Sequence, residues 1–326
     1  MDYIDIFIKN NYINLKQIAE SGQCFRWKKM CPGRYFVISD GRAACFFQEK
    51  TGIRILCREK DEEYFRRYLD LDIDYGKVIE QIDEKDDFLI GAAQMGRGIR
   101  ILRQNLWEMI ISFIISQRNN IPRIMKSIDA LCEKLGEQIV FDYEGEHLVG
   151  YTFPSPEVIV GADLSEFKFG YREKYIRQTA ENILEGKFDL EEVKDAVEEK
   201  VASCIQLFGL HQLELFPIDT WIAKVEKMYY NGHFPVEKYK DTAGIMQQYL
   251  FFRVREDADK RAVLEMKSEV GEKAASKTSF KEEMTEKIDK QTKRKNEISP
   301  ENNSLEENRL EKSRFKKDKS EEARSE

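Results

Sequence analysis

A lysine and an aspartate stand nineteen positions apart, at the starts of two neighbouring apolar segments. Lys200 opens a run that stops near Gly209, and Asp219 occupies the N-cap position before the next run. Two antiparallel helices joined by a short loop would bring the amine and the carboxylate together. An uncharged amine is a nucleophile, and a carboxylate stabilises developing positive charge and assists proton movement. The pair is therefore a candidate catalytic site.

The amine of Lys200 must lose its proton before it can attack. An unperturbed lysine has a pKa of about 10.4 and is nearly all ammonium at neutral pH. A helix start and desolvation in a pocket would both lower that pKa. The alternative, which residue type and position alone favour, is that Lys200 is a solvated lysine and Asp219 only a helix cap.

Composition and charge limit the kind of protein this is. The chain has 326 residues, 41% of them apolar, which is enough for two domains with an ordinary core. No apolar run reaches membrane length, and the N-terminal residues carry acids where a signal peptide carries bases. Six scattered cysteines without a CxxC pair argue against disulfides and zinc. We therefore expect a cytosolic protein with no membrane partner and no metal.

Taken as a total, a net charge of −7 argues against a DNA-binding protein, because phosphate contacts need positive potential. The charge is segregated, however. Between Arg97 and Lys126, six basic residues stand against the single acid Glu108. This is a modest indication of nucleic-acid binding, since arginines on a helix often form only a solvated face.

Hydrophobic periodicity changes along the chain. From Asn11 to about Asp74 the pattern is mostly period two, which predicts an antiparallel sheet with strands near 34–38, 43–48 and 53–57. From about Asp87 it becomes helical, with an apolar central helix that ends in the polar string SQRNN at 116–120. We predict a β-sheet domain over 1–86, a helical domain over 87–255, and a disordered, charged tail over 256–326.

Several segments resemble those of 8-oxoguanine DNA glycosylase/AP lyases, a branch of the helix-hairpin-helix glycosylase superfamily. They read SGQCFRW, GIRILRQNLWE, SQRNNIPRI, GYREKYI, KVASCIQLFGL, FPIDTW and AGIMQQYLFF. The resemblance covers roughly residues 11–255. It implies an α+β fold, with an N-terminal antiparallel β-sheet domain followed by an all-α helix-hairpin-helix glycosylase domain.

The resemblance also implies an activity and a partner. The partner is double-stranded DNA containing 8-oxoguanine, and the protein would act as a monomer without a cofactor. Lys200 would form a Schiff base with the sugar of the flipped nucleotide, with help from Asp219, and β-elimination would then nick the strand.

The same resemblance assigns a base pocket. Guanine has a lone pair at N7, whereas 8-oxoguanine carries a hydrogen there, so a fixed carbonyl attracts the lesion and repels the normal base. That carbonyl is expected on Gly22. The base would stack between Cys204 and Phe251, with Gln247 on its Watson–Crick edge. The expected substrate-binding residues are Gly22, Gln23, Phe25, Cys204, Pro217, Gln247 and Phe251.

A set of DNA-contacting residues is implied as well. Tyr171 would wedge into the duplex, and the arginines would read the cytosine left without a partner. Arg118 stands where the family has asparagine, which puts opposite-base selectivity in doubt. The full set is Arg118, Asn119, Asn120, Arg123, Tyr171, Arg172 and Trp221.

The sequence departs from the family just before Lys200. The family places a glycine hairpin there, which binds a DNA phosphate and often a monovalent cation, whereas this chain reads DAVEE at 195–199. Acids are unfavourable beside phosphate, and a tight turn without glycine is strained. Two alternatives therefore stay open: a monofunctional glycosylase of the same superfamily that acts on another lesion with Asp219 alone, and a non-catalytic DNA-binding module.

Overall fold

A five-stranded antiparallel sheet forms the N-terminal part of the chain. Its strands follow the spatial order β1-β5-β4-β3-β2. They are β1 (Tyr3–Lys9), β2 (Trp27–Cys31), β3 (Arg34–Ser39), β4 (Arg42–Glu49) and β5 (Gly52–Arg58). Asp40 and Gly41 both have positive φ, 50° and 70°, as a tight two-residue hairpin between β3 and β4 requires.

This computed structural model describes residues 3–143, 145–187, 199–258 and 260, and of Glu199 and Lys200 only the main chain. The stretch 195–198, where the sequence lacks the glycines of the family's hairpin, lies outside the described residues, as do residue 259 and residues 261–326 of the predicted tail. Met1–Ala258 forms one compact unit. The division at residue 86 stays a prediction.

Two short helices that periodicity did not predict accompany the sheet. They are α1 (Leu15–Glu20) and α2 (Glu62–Tyr68). Phe65 of α2 is fully buried and meets the ring of Phe46 on β4 edge to face, with the ring centroids 5.6 Å apart. Burying a side chain of this kind contributes about 1.5–3 kcal/mol. Helices of two turns are too short to show a 3.6-residue repeat, which explains why the sequence reading missed them.

Helices dominate the rest of the described chain, which confirms the predicted α+β order. They are α3 (Tyr75–Glu80), α4 (Asp87–Met95), α5 (Leu106–Ser116), α6 (Ile121–Leu135), α7 (Pro156–Gly161), α8 (Arg172–Leu184), α9 (Glu199–Gly209), α10 (Thr220–Tyr229) and α11, which spans 243–258. The prediction of helices from residue 87 onward omits one feature. A β-hairpin of β6 (Gln138–Tyr143) and β7 (Glu146–Tyr151) lies between α6 and α7.

Helix α5 is the centre of the helical part, as its nearly uniform apolar sequence predicts. Asn105 caps it by accepting a hydrogen bond of 3.0 Å from the Glu108 main-chain N–H. The ring of Phe113 stacks on that of Phe208 in α9, with centroids 5.7 Å apart. At Gly209 a Cβ would lie only 2.9 Å from Leu106 Cδ1, so the end of α9 packs closely on α5 because this residue is glycine.

A buried ion pair joins the sheet region to α5. Arg26 Nη1 lies 2.9 Å from Glu108 Oε2, and the two side chains are 8% and 9% exposed. Burial raises the pKa of Glu108 even though the charge of Arg26 opposes the rise. Arg26 also donates to the Tyr151 carbonyl, so it holds β7 in the same contact.

Two further findings concern partners. Within the described ranges, no helix is long and apolar enough to cross a membrane. Across the same residues, no group of three or more histidine, cysteine, aspartate or glutamate side chains could hold a metal ion.

Candidate active site

A cavity of about 900 Å³ opens between the Ser21–Gly22 turn, the loop after α5, and helices α9, α10 and α11. Twelve of the sequence-predicted site residues line it. They are Gly22, Phe25, Arg118, Asn119, Asn120, Arg123, Cys204, Pro217, Asp219, Trp221, Gln247 and Phe251. We call this space the base cavity.

Asp219 is both a helix cap and a cavity residue. Its Oδ1 accepts hydrogen bonds from the main-chain N–H groups of Trp221 at 2.9 Å and Ile222 at 2.8 Å. These bonds fix the carboxylate at the N-terminus of α10, where the helix dipole favours negative charge. The capping role suggested by the sequence therefore places an anionic group at the cavity wall.

Helix α9 forms the facing wall. Val201, Cys204 and Phe208, spaced three and four residues apart on one helix face, all line the cavity. Lys200 is the second residue of α9 as described, and its main chain lies one helical turn before Cys204. Helix α9 thus carries Lys200 next to the cavity residue Val201, and α10 places the carboxylate of Asp219 in the cavity wall.

Gly22 stands where the sheet region meets α11. Its φ is +82°, in the left-handed region, and a Cβ there would lie 3.1 Å from Phe251 Cε1. The turn is anchored on both sides. Ser21 Oγ donates to the Ile18 carbonyl at 2.8 Å, and Arg255 Nη1 donates to the Glu20 carbonyl at 3.2 Å. Only glycine fits this conformation beside the Phe251 ring without strain.

The amide of Gln247 is held from two directions. Its Nε2 donates to the Pro217 carbonyl at 3.1 Å, and its Oε1 accepts from Gln248 Nε2 at 3.0 Å. Both glutamines are buried. A primary amide has two N–H donors and two oxygen lone pairs, so Gln247 keeps one donor and one acceptor for a ligand.

Comparison with known proteins identifies the family. The family model for the N-terminal domain of 8-oxoguanine DNA glycosylase matches residues 5–110. The structure of MBOgg1 in complex with a low-affinity DNA ligand is 33% identical, with a TM-score of 0.69, and the match covers 79% of this chain and all of that one. The chain belongs to the 8-oxoguanine DNA glycosylase family. The sequence-based prediction of this family is confirmed.

Two further relatives of the family support the assignment. Clostridium acetobutylicum 8-oxoguanine glycosylase/lyase, in complex with double-stranded DNA containing cytosine opposite 8-oxoG, is 30% identical with a TM-score of 0.70, over 79% of this chain and all of that one. The N-glycosylase/DNA lyase of Saccharomyces cerevisiae is 27% identical over 273 residues, which are 68% of this chain and 70% of that protein.

The segment 116–120 begins at the last residue of α5 and borders the base cavity through Arg118, Asn119 and Asn120. Asn119 Nδ2 donates to the Ile115 carbonyl at 3.3 Å, while its Oδ1 accepts from the Asn120 N–H at 3.0 Å. Asn120 Oδ1 accepts from the Arg123 N–H at 3.0 Å and so caps α6. Arg118 has a positive φ of 49°. We call residues 116–120 the asparagine loop.

Tyr171 and Arg172 do not line the base cavity, and the structure gives Arg172 a different contact from the one predicted. Its guanidinium donates from Nε to the Gln117 carbonyl at 3.0 Å and from Nη1 to the Phe169 carbonyl at 3.2 Å. Arg172 therefore supports the asparagine loop rather than standing free to read cytosine. Tyr171 is 51% exposed and has the Arg172 guanidinium 4.8 Å from its ring centroid.

Gln23 is another correction, since its side chain does not reach the base cavity. Nε2 donates to the Arg100 carbonyl at 2.8 Å and Oε1 accepts from the Leu102 N–H at 2.8 Å. The side chain is fully buried. The amide satisfies main-chain groups that would otherwise be buried without partners, and these hydrogen bonds stabilise the fold.

Several cavity residues were missing from the sequence-based set. They are Ser21, Phe113, Ser116, Ile121, Pro122, Ile124, Val201, Phe208, Thr220, Gln248 and Arg255. Helical spacing could have predicted some of them. Val201 and Phe208 share a helix face with Cys204, and Arg255 stands four residues after Phe251. No local pattern marks Gln248, which follows Gln247 directly.

Proposed function

We propose that this protein is a bifunctional glycosylase/lyase that removes 8-oxoguanine from double-stranded DNA and then nicks the strand. The observation that supports this most is the single cavity that joins Asp219, Gly22, Gln247 and the ring of Phe251. Its volume of about 900 Å³ suits a flipped nucleotide, since ligand pockets commonly measure about 300–1,000 Å³.

Base recognition would use three walls of the cavity. Phe251 offers an aromatic ring for stacking, and Gln247 offers one donor and one acceptor to the Watson–Crick edge. The carbonyl of Gly22 would accept the N7 hydrogen that 8-oxoguanine has and guanine lacks. Hydrogen bonds through Ser21 and Arg255 anchor the Gly22 turn. The Gly22 carbonyl therefore cannot move to suit either base, and its fixed position would favour 8-oxoguanine over guanine.

Bond cleavage would proceed at C1′ of the flipped nucleotide. As the bond to the base breaks, the sugar gains positive charge, which the carboxylate of Asp219 would stabilise. The neutral amine of Lys200 would bond to C1′, and the departing base would take the electron pair of the old bond and a proton. Opening of the sugar ring gives an imine, and loss of a C2′ proton from the imine expels the 3′ phosphate by β-elimination.

Borohydride trapping tests the proposal directly. Reduction of the imine should give a covalent adduct between the protein and a duplex containing 8-oxoguanine opposite cytosine. Lys200→Gln should abolish the adduct and the nick. Lys227→Gln, which changes an exposed lysine on α10, is the matched control and should retain both.

Other outcomes of the same assay would support the rival functions. Base release without an adduct would support a monofunctional glycosylase that relies on Asp219. Duplex binding without base release would support a non-catalytic DNA-binding module. The cytosolic location and the monomeric state expected from the sequence stay predictions.

A further inference from the structure

A second groove lies beside the base cavity and has no role in the chemistry described above. It measures about 780 Å³, and among the described residues Arg123 alone lines both spaces. We call it the α6 groove. Its lining residues are Arg123, Lys126, Ser127, Ala130, Glu133, Lys134, Glu166, Phe167 and Lys168.

The walls of the α6 groove are basic. Arg123, Lys126 and Ser127 lie on one face of α6, spaced three and four residues apart, and Lys168 stands on the opposite wall. Lys134 is paired with Glu166. Among the described residues, Arg123, Lys126 and Lys168 have no ion-pair partner, and Glu133 is the remaining acid. Three cations against one carboxylate is an unusual surface on a chain of net charge −7.

The groove is fixed to the asparagine loop. Lys168 has a left-handed main chain with φ of 54°, next to Phe169, which is buried. The carbonyl of Phe169 and the carbonyl of Gln117 both accept hydrogen bonds from the Arg172 guanidinium. The Arg172 side chain therefore fixes the segment that carries Lys168 relative to the asparagine loop. A partner that binds the asparagine loop would also contact the α6 groove.

We propose that the α6 groove binds the sugar–phosphate backbone of the strand opposite the lesion, mainly through Lys126 and Lys168. This inference rests on the proposed function. The base cavity takes a nucleotide from the lesion strand, whereas the α6 groove begins at Arg123 and extends away from that cavity. Arg123 and Lys126 are one helical turn apart, about 4.5 Å along α6, which is comparable to the rise of about 3.4 Å per nucleotide of a strand.

The α6 groove also accounts for how a chain with acids before Lys200 could hold DNA. The stretch DAVEE at 195–199 carries three carboxylates and no basic residue, so it adds no positive charge for a phosphate. Phosphate contacts supply most of the sequence-independent affinity of a DNA-binding protein. In this chain the α6 groove would supply part of that affinity from a different surface.

The test measures how strongly affinity depends on salt. Fluorescence anisotropy would give the dissociation constant for a duplex with 8-oxoguanine opposite cytosine between about 50 and 200 mM salt. The Lys126→Gln/Lys168→Gln double variant should flatten the plot of log affinity against log salt by about 1.8, because each lost phosphate contact removes about 0.9. The control is Lys28→Gln/Lys29→Gln, a pair of exposed lysines on β2, and should leave the slope unchanged.

Neutral methylphosphonate linkages identify the strand. When these linkages replace phosphates in the strand opposite the lesion, the unaltered protein and the double variant should show the same slope of log affinity against log salt. The proposal is overturned if the double variant keeps the parental slope, if the control pair lowers it equally, or if only lesion-strand methylphosphonates remove the difference. Base excision by the unaltered protein on the same duplex tests the proposed function separately. If the salt dependence of affinity changes in the double variant but the unaltered protein releases no base, DNA binding by the α6 groove is supported and the proposed glycosylase activity is rejected.

Discussion

Arg172 Nε donates a hydrogen bond of 3.0 Å to the main-chain carbonyl of Gln117, and this contact joins the start of α8 to the asparagine loop. The two residues are 55 positions apart in the sequence. The loop borders the base cavity through Arg118, Asn119 and Asn120, so the geometry of the cavity mouth depends on a side chain outside the cavity.

Arg172→Ala should slow excision for every opposite base. The variant loses the bonds that order the asparagine loop, at a cost of about 1–1.5 kcal/mol, or roughly five- to tenfold in rate. Single-turnover excision from duplexes with cytosine or adenine opposite the lesion would measure this effect. A loss confined to the cytosine duplex would instead support the original expectation that Arg172 reads cytosine.

Asp219→Asn separates the capping role from the charge of the carboxylate. Asparagine caps a helix about as well as aspartate, so stability should change by less than about 0.5 kcal/mol. Excision should fall by at least about 100-fold, because the negative charge beside the sugar is lost. Urea unfolding measures the change in stability, and single-turnover kinetics measure the change in the excision rate. Asp219→Ala is the comparison, and should also lose about 1 kcal/mol of stability with the cap.

The features that the sequence could predict are local ones. The position of Asp219 before an apolar run predicts a helix cap, and its side-chain oxygen caps α10. Asn105 and Asn120 cap α5 and α6 in the same way. The Asp40-Gly41 turn is equally local, since two adjacent residues determine it. Local rules work here because the physical cause and the structural result lie within four residues of each other.

The features that the sequence could not predict depend on distant partners. Gln23 stands inside SGQCFRW, yet its amide meets the main chain of Leu102, 79 residues away. The motif assigns Arg172 to DNA, whereas in the structure its guanidinium donates to the carbonyl of Gln117, 55 residues away. A motif gives the residue types at a site, but it does not say which polar groups are already paired within the protein.

Gly22→Ala should impair both stability and base recognition. The positive φ makes alanine unfavourable by about 1 kcal/mol, and its Cβ would lie 3.1 Å from Phe251 Cε1, so the stacking ring must shift. Gly41→Ala is a matched control, because φ is +70° there and nothing lies within 4 Å of the added Cβ. Both variants should unfold at lower denaturant concentration. Excision should fall only for Gly22→Ala, and an equal effect on excision would reject the contact with Phe251 as its cause.

Arg26→Met should destabilise the protein strongly, by about 3–5 kcal/mol, because it leaves the buried carboxylate of Glu108 without its partner. Replacing both residues, in Arg26→Met/Glu108→Leu, should cost less than Arg26→Met alone. A double-mutant cycle by urea unfolding measures the coupling. Additive effects of the two single changes would show that the pair does not act as a unit.

The last prediction concerns pH and the far end of α9. His211, two residues beyond that helix, has its Nε2 3.3 Å from Asp70 Oδ1, and Arg103 Nη2 lies 2.8 Å from the same oxygen. Burial works to raise the pKa of Asp70, but the nearby imidazole of His211 and the charge of Arg103 outweigh it, so that the pKa is lowered.

A lowered pKa in the folded state means that the unfolded chain binds more protons at acidic pH. The contribution of Asp70 to stability is therefore complete above its unfolded pKa of about 3.9 and is lost as the pH falls through the folded value. Asp70→Asn should be less stable than the parent at pH 7, and the difference should shrink below about pH 4. Urea unfolding at both pH values checks this. A difference that stayed constant would mean that Asp70 contributes through its shape rather than its charge, and that the end of α9 is not held by this ion pair.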